Sequence, residues 1–448
     1  SVLAANVTSK NYIGMSRGAL NTLTQSEATG SAVEFDNTFV TNTNIGYDSN
    51  SDRLVIAYRA DHSSGGGGEA VVGTVSGTSI SYGTPVVFNG NGSTRQPKIA
   101  FDSSNNKIVI SYRDDGNSNY ATAIVGTVDP SDNSISFGTP VVYISASSGG
   151  ISTTFDSDNN KVIVAGNNSG SYSVSVGTVS GTGISFGSAT TIASSTNGVM
   201  TYDTTSNKVI VGVSSSSTGK AYVGTVSGTG ISFGSANTFS SSSFGGFQDG
   251  TGVVHDTSNN KIIIAYQENE MTAIVGTVSG TSISFGTAVV TESNSSSVDI
   301  VYDTLLNVPY IGFKDDGNSN HGTIKKGTVS GTDISFGSNI VVQSSEVGAP
   351  NIGFASDKVI FAFRDSTDSN HGKALVYQGA GDYQARGEIA NGSRASIDII
   401  GSVSDNQSGL TAGQQYFVQS DGTIGETADS PSVLAGTAIS ATELLVKT

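Results

Sequence analysis

The stretch Gly276-Thr-Val-Ser-Gly-Thr-Ser-Ile-Ser-Phe-Gly-Thr-Ala-Val-Val290 recurs in near-copies that begin at Gly73, Gly126, Gly177, Gly224 and Gly327. The spacings are 53, 51, 47, 52 and 51 residues. A fixed period of about fifty residues restricts the chain to a repeat architecture, because a unit that small cannot bury its apolar face alone and must stack on its neighbours.

The order within a unit is clearest after the first copy. Pro97-Lys-Ile-Ala-Phe-Asp102 reads as a first strand closed by the turn Ser103-Ser-Asn-Asn106. Lys107-Ile-Val-Ile-Ser-Tyr112 reads as a second strand, rich in the branched and aromatic side chains that suit one. The loop Arg113-Asp-Asp-Gly-Asn-Ser-Asn119 leads to a third strand over 120–128, and a fourth over 134–143 closes the unit. Short Asn-Asn and Ser-Gly-Thr links supply the positive φ of tight hairpins. Each unit is expected to be a four-stranded antiparallel meander, and no helical period occurs.

First strands end in Tyr47-Asp48, Phe101-Asp102, Phe155-Asp156, Tyr202-Asp203, His255-Asp256 and Tyr302-Asp303, where a recurring Asp is expected to cap the turn. A seventh unit runs through 350–354, 358–363 and 373–377 and lacks a fourth strand. Residues 32–40 match the Ile-Ser-Phe-Gly-Thr-Ala-Val-Val pattern and are expected to supply it. The prediction is an all-β chain: a seven-bladed β-propeller of four-stranded blades over 32–378, closed by an N-terminal strand so that no sheet edge is left open. Residues 379–448 carry further alternating strands and read as a small terminal β-module, with 1–31 as its N-terminal part. In this geometry both ends of the propeller emerge on the face of the short turns, which leaves the face of the second-to-third loops free.

Composition excludes several classes. A formal net charge of −16 argues against a nucleic-acid partner held by phosphate neutralisation. No apolar run is long enough for a helical membrane span. Cysteine is absent, so disulfides and thiolate chemistry are excluded. No serine-nucleophile elbow or phosphate-binding loop occurs, and the recurring carboxylates are turn residues, so no enzyme activity is expected. The Gly-rich run 63–68 precedes no helix and reads as a loop.

The free-face loops are the candidate ligand-binding residues. One comprises Arg113, Asp114, Asp115, Asn117 and Asn119, and a second Lys314, Asp315, Asp316, Asn318, Asn320 and His321. The third comprises Arg364, Asp365, Asp368, Asn370 and His371. Asp, Asn and Arg beside Tyr or His suit hydrogen bonding to sugar hydroxyls, and the same residues also suit plain turn formation. The units that carry these loops adjoin across the expected closure. Calcium is the cation such acidic loops could hold, although the Asp114-Asp115-Gly116 order is not the established calcium-loop pattern, and no cofactor is otherwise expected. None of the four histidines, His62, His255, His321 and His371, forms a close metal-spacing pair; His255 occupies the aromatic position of its strand, and His321 and His371 share equivalent loop positions.

Leu410-Thr-Ala-Gly-Gln-Gln-Tyr-Phe-Val-Gln-Ser-Asp-Gly-Thr423, followed by 433–442, resembles a module of structural proteins in marine tailed phages. Asn11-Tyr-Ile-Gly-Met-Ser-Arg-Gly-Ala19 resembles that module's opening strand, which implies that the propeller is inserted within it. The Lys-Val-Ile-Val, Gly-Asn-Ser-Asn and Ala-Ile-Val-Gly-Thr-Val elements are similar to repeats of phage tail-fibre-like proteins, although no fibre shaft is evident here. The resemblance implies a virion surface or extracellular location, contact with other virion proteins, a homotrimer, and host attachment through a cell-surface glycan or protein. The alternatives are a capsid decoration or filament subunit and a glycan-cleaving enzyme.

Overall fold

The computed structural model describes residues 15–16, 19–20, 22–61, 66–90, 92–215, 218–241, 251–268, 270–384, 403–404, 409–418, 424–428, 434–442 and 444–446. His62, residues 63–65 of the Gly-rich run, most of the expected opening strand at 11–19 and, within the terminal module, residues 385–402 lie outside these residues. Among the described residues every regular element is a strand, and no helix is long and apolar enough to cross a membrane. The chain divides into two compact units, Thr29–Tyr377 and a smaller one made of Ser1–Ala28 with Gln378–Thr448.

In the larger unit each repeat forms an antiparallel meander. In the second repeat Thr94–Asp102, Lys107–Asp114 and Tyr120–Asp129 pair in sequence, and the third strand then pairs with both Ser134–Phe137 and Val141–Ile144. Five sheets share this layout, and a nine-stranded sheet carries two further meanders. The second strands are buried on both faces, since each sheet packs face to face with its neighbours. Val55, Ala57, Ala70 and Val72 of one repeat thus meet Ile108, Ile110, Tyr112 and Ile124 of the next. This is why those strands read as continuous apolar runs rather than alternating ones.

The expected fourth strand is not continuous. It breaks at a Gly-Thr or Gly-Ser segment into two short pieces, and at Gly83, Gly138, Gly187, Gly234 and Gly286 the glycine lies against the following repeat. A Cβ on Gly138 would stand 1.9 Å from the carbonyl oxygen of Thr182, and one on Gly83 2.1 Å from that of Asn133. The N-terminal segment is corrected in the same way. Val33–Asp36 pairs with the last repeat's His371–Gln378 in the register that Val86–Asn89 uses on Gly67–Ser76, and Phe39 already begins the first strand Phe39–Asp48. Asp36 makes the break by accepting the amide and hydroxyl of Thr38, at 2.7 and 2.6 Å. Gly30 approaches the Thr78 carbonyl as Gly138 approaches that of Thr182.

First strands are joined side to side by a recurring bond in which a polar side chain accepts an amide of the neighbouring first strand. Asn44 Oδ1 accepts from Ile99 at 2.8 Å, Ser152 Oγ from Met200 at 2.9 Å and Asn351 Oδ1 from Ile45 at 3.1 Å. The six recurring aspartates cap their turns as expected. Asp102 Oδ1 accepts the amides of Ser104 and Asn105 at 3.1 and 3.0 Å, and Asp303 Oδ1 those of Leu305 and Leu306 at 2.9 and 2.8 Å.

The smaller unit has its own sheet, in which Gln415–Val418, Leu434–Ala438 and Leu444–Val446 are consecutive neighbours. Leu410, Tyr416, Ala435, Ala438 and Leu444 form its core. Thr22–Gln25 pairs with Gly381–Gln384 within the same unit.

Candidate binding surface

Four first strands are longer than the rest. Phe39–Asp48, Thr94–Asp102 and Ser295–Asp303 have nine or ten residues, and the last repeat's first strand is the C-terminal half of Ile340–Ala355. Ser152–Asp156, Gly198–Asp203 and Thr251–Asp256 have five or six. Each long strand carries a bulge at the same place, where Asn42, Gln96, Ser297 and Ala349 take φ of 51°, 52°, 55° and 43°. A bulge inserts a residue and re-aims the strand beyond it. The bulged strands belong to repeats whose first strands are neighbours in space, since Asn351 bonds both Ile45 and Asp299 while Asn44 bonds Ile99.

Three of these repeats carry the candidate loops, and the loops share one geometry. Ser118 and Asn119, Ser319 and Asn320, and Ser369 and Asn370 are consecutive left-handed residues. The carbonyls of Asn119, Asn320 and Asn370 accept the amides of Ser148, Val347 and Val40 at 2.9, 3.0 and 3.1 Å, which ties each loop to the link leaving its repeat. Asp114, Asp315 and Asp365 are buried. Asp114 Oδ1 accepts the Gly116 amide at 3.0 Å, and Asp365 Oδ1 the amide and hydroxyl of Thr367 at 3.0 and 2.6 Å. Asp315 accepts the Asn318 amide on its backbone carbonyl at 3.1 Å, and its Oδ2 accepts Asn339 Nδ2 at 3.2 Å. These six residues therefore build the turns.

The others line the surface. Asn117 and Asn318 are exposed at the loop tips. Arg113 donates to Asn119 Oδ1 at 2.6 Å and pairs with Asp115 at 2.7 Å, and Arg95 meets the other oxygen of Asp115 at 2.7 Å. Lys314 pairs with Asp316 at 3.0 Å. Arg364 lies over the ring of Phe39, 5.1 Å from its centroid, and Phe39 is 37% exposed. His371 Nδ1 stands 2.9 Å from Glu34 Oε2, and Lys373 bridges Asp365 and Asp368 at 3.0 and 2.6 Å. Burial opposes the charge on Asp365, but the bonds from Thr367 and Lys373 outweigh it and hold the carboxyl below its usual range.

His321 and His371 occupy equivalent positions with different surroundings, since His321 is paired in register with Asp315 and Glu346. His255 fills its strand's aromatic position, buried, and meets Asp203 at 3.2 Å. Glu34, Phe39, Arg95 and Lys373 are the surface residues that sequence reasoning missed. The signal for Glu34 was a charge where the other repeats have Val or Thr. A cavity of about 380 Å³ lies elsewhere, along the first strands, between Ile99, Phe101, Thr153, Phe155, Thr201 and Tyr202.

No family model and no curated protein matches the chain. Its backbone is similar to a chain in the crystal structure of the mitotic checkpoint complex, with a TM-score of 0.52, 9% identity, and coverage of 84% of this chain and 98% of that one. It is also similar to the Dos1 propeller, with a TM-score of 0.51, 10% identity, and coverage of 80% and 97%. At such identities the likeness concerns the fold alone, and the phage resemblance gains no support from it. The sheets and these neighbours together make the larger unit a β-propeller.

Proposed function

We propose that the chain is a non-catalytic attachment protein of a phage virion surface. In this reading the larger unit is a seven-bladed propeller closed by Val33–Asp36, whose raised loops contact a host cell-surface glycan or protein. The closure is supported by the pairing of Val33–Asp36 with the last repeat, by the Gly30–Thr78 approach and by the Asn351–Ile45 bond. The propeller fold itself suggests an interaction scaffold. The phage setting rests on the sequence motifs, as do the homotrimer and the contact with other virion proteins.

The observation that carries the reading is the concentration of bulged first strands, matching loops and the exposed Phe39–Arg364 pair in adjoining repeats. An exposed ring held by a guanidinium, with carboxylates and amides around it, suits stacking on a sugar ring while its hydroxyls are bonded.

The test is saturable binding of fluorescently labelled full-length chain to a panel of candidate host cells, repeated with Phe39→Ala and Arg364→Ala. Binding that both variants weaken by about tenfold or more supports attachment at this surface. Binding that both retain moves the site elsewhere. No binding across the panel favours a capsid decoration or filament subunit, in which the same loops meet another virion protein. Release of reducing sugar would overturn the non-catalytic reading.

A further inference from the structure

The three matching loops provide an internal comparison. The sixth repeat places His321 as the last repeat places His371, yet it has Asn318 where the last has Asp368. Its outer strand puts Val341 opposite Thr323, where Val33–Asp36 puts Glu34 opposite Lys373. The departures from the repeat thus converge on one spot, where the N-terminal strand meets the last repeat.

We propose that Glu34, Asp368 and His371 form a binding site for Zn²⁺ that staples the N-terminal strand Val33–Asp36 to the last repeat. One ligand atom from each residue lies within 4.8 Å of the other two, with His371 Nδ1 2.9 Å from Glu34 Oε2 and 4.0 Å from Asp368 Oδ1. Tetrahedral zinc bonds of about 2.1 Å set ligand atoms about 3.4 Å apart, so small side-chain rotations would bring three ligands into place, with water taking the fourth position. Lys373 engages Oδ2 of Asp368, which leaves Oδ1 facing His371. Three carboxylates, those of Glu34, Asp365 and Asp368, cluster around His371 and the Lys373 ammonium, an acidic excess that a divalent cation balances. The imidazole nitrogen selects zinc over calcium, which prefers oxygen donors throughout. The ligands come from two chain segments 334 residues apart at their closest, Glu34 and Asp368, so the ion would stabilise their pairing.

The test uses full-length chain stripped with EDTA and titrated with ZnCl₂ at pH 7.5, read by calorimetry and by thermal midpoint. A single tight equivalent with a raised midpoint is expected. Glu34→Gln and His371→Asn should each weaken binding by at least about tenfold, whereas His321→Asn should leave it unchanged. CoCl₂ should give the visible absorption of a tetrahedral centre, lost in His371→Asn, which separates loss of the ion from loss of the fold. No heat and no shift in the wild-type chain, or a shift that survives in both ligand variants, would overturn the proposal and leave the cluster as ion pairs only.

Discussion

Asp303→Asn is expected to stabilise the protein at neutral pH, although it alters a recurring turn cap. Asp303 is 1% exposed, and burial, partly offset by the amides of Leu306 and Leu305, pushes its carboxyl up to about 6. Both amides bond Oδ1, and no side-chain donor meets Oδ2 among the described residues. An Asn can therefore keep both bonds and shed the charge. A folded value near 6, raised above an unfolded 3.8, means that the folded chain holds this proton more tightly. The stabilising contribution is full below about pH 4 and is lost as the pH rises through 6. Ionisation at pH 7.5 then costs about 3 kcal/mol at most, and relaxation around the site reduces that to about 1–3 kcal/mol. Urea unfolding of wild type and variant at pH 7.5 should show this gain, and at pH 3.5 it should vanish. Asp256→Asn is the contrast. Burial opposes its charge too, but bonds from Asn259, Tyr302 and Ser258 outweigh it and hold that carboxyl low, with Asn259 Nδ2 on Oδ2 at 2.9 Å. That variant should lose stability at pH 7.5. A loss in Asp303→Asn at pH 7.5, or an equal gain at both pH values, would refute the reasoning.

Asn351→Ala orphans the Ile45 amide and removes the donor to Asp299 at 2.5 Å, and should cost about 2–4 kcal/mol in denaturant unfolding. Asn50→Ala, which removes an exposed bond to the Ser103 carbonyl, should cost under about 0.5 kcal/mol in the same assay. Gly138→Ala forces a methyl group against the Thr182 carbonyl and should cost about 1–3 kcal/mol, whereas Gly337→Ala, whose nearest contact is 3.7 Å away, should be close to neutral. Equal midpoints for those two variants would remove the close-approach account of Gly138.

Much of the fold was legible because the repeat is a direct record of local chemistry. The Asp after each first-strand aromatic caps a turn by bonding amides two and three residues ahead, an interaction that needs nothing beyond its own segment. The candidate loops were legible as loops for the same reason, but the roles within them were not. Asp365 and Asp368 both meet Lys373, yet the first is buried and also accepts the Thr367 amide, while the second is half-buried with its other oxygen toward His371. Only the turn's backbone path decides which way each carboxylate points. The N-terminal segment reads from sequence as pairing with the right partner in the wrong register, because Val33-Glu-Phe-Asp36 fits two positions in an alternating pattern and the Thr38 bonds to Asp36 choose between them.

The sequence by itself determined the repeat length, the strand order within a repeat, the capped turns and the all-β class, since each depends on residues within about fifty positions of one another. The tertiary structure alone decided which repeats carry bulged first strands, that glycines such as Gly138 accommodate a neighbour's carbonyl, and that Glu34 stands beside His371. Those features depend on contacts between segments remote in sequence. Packing fixes them, and no local pattern records it.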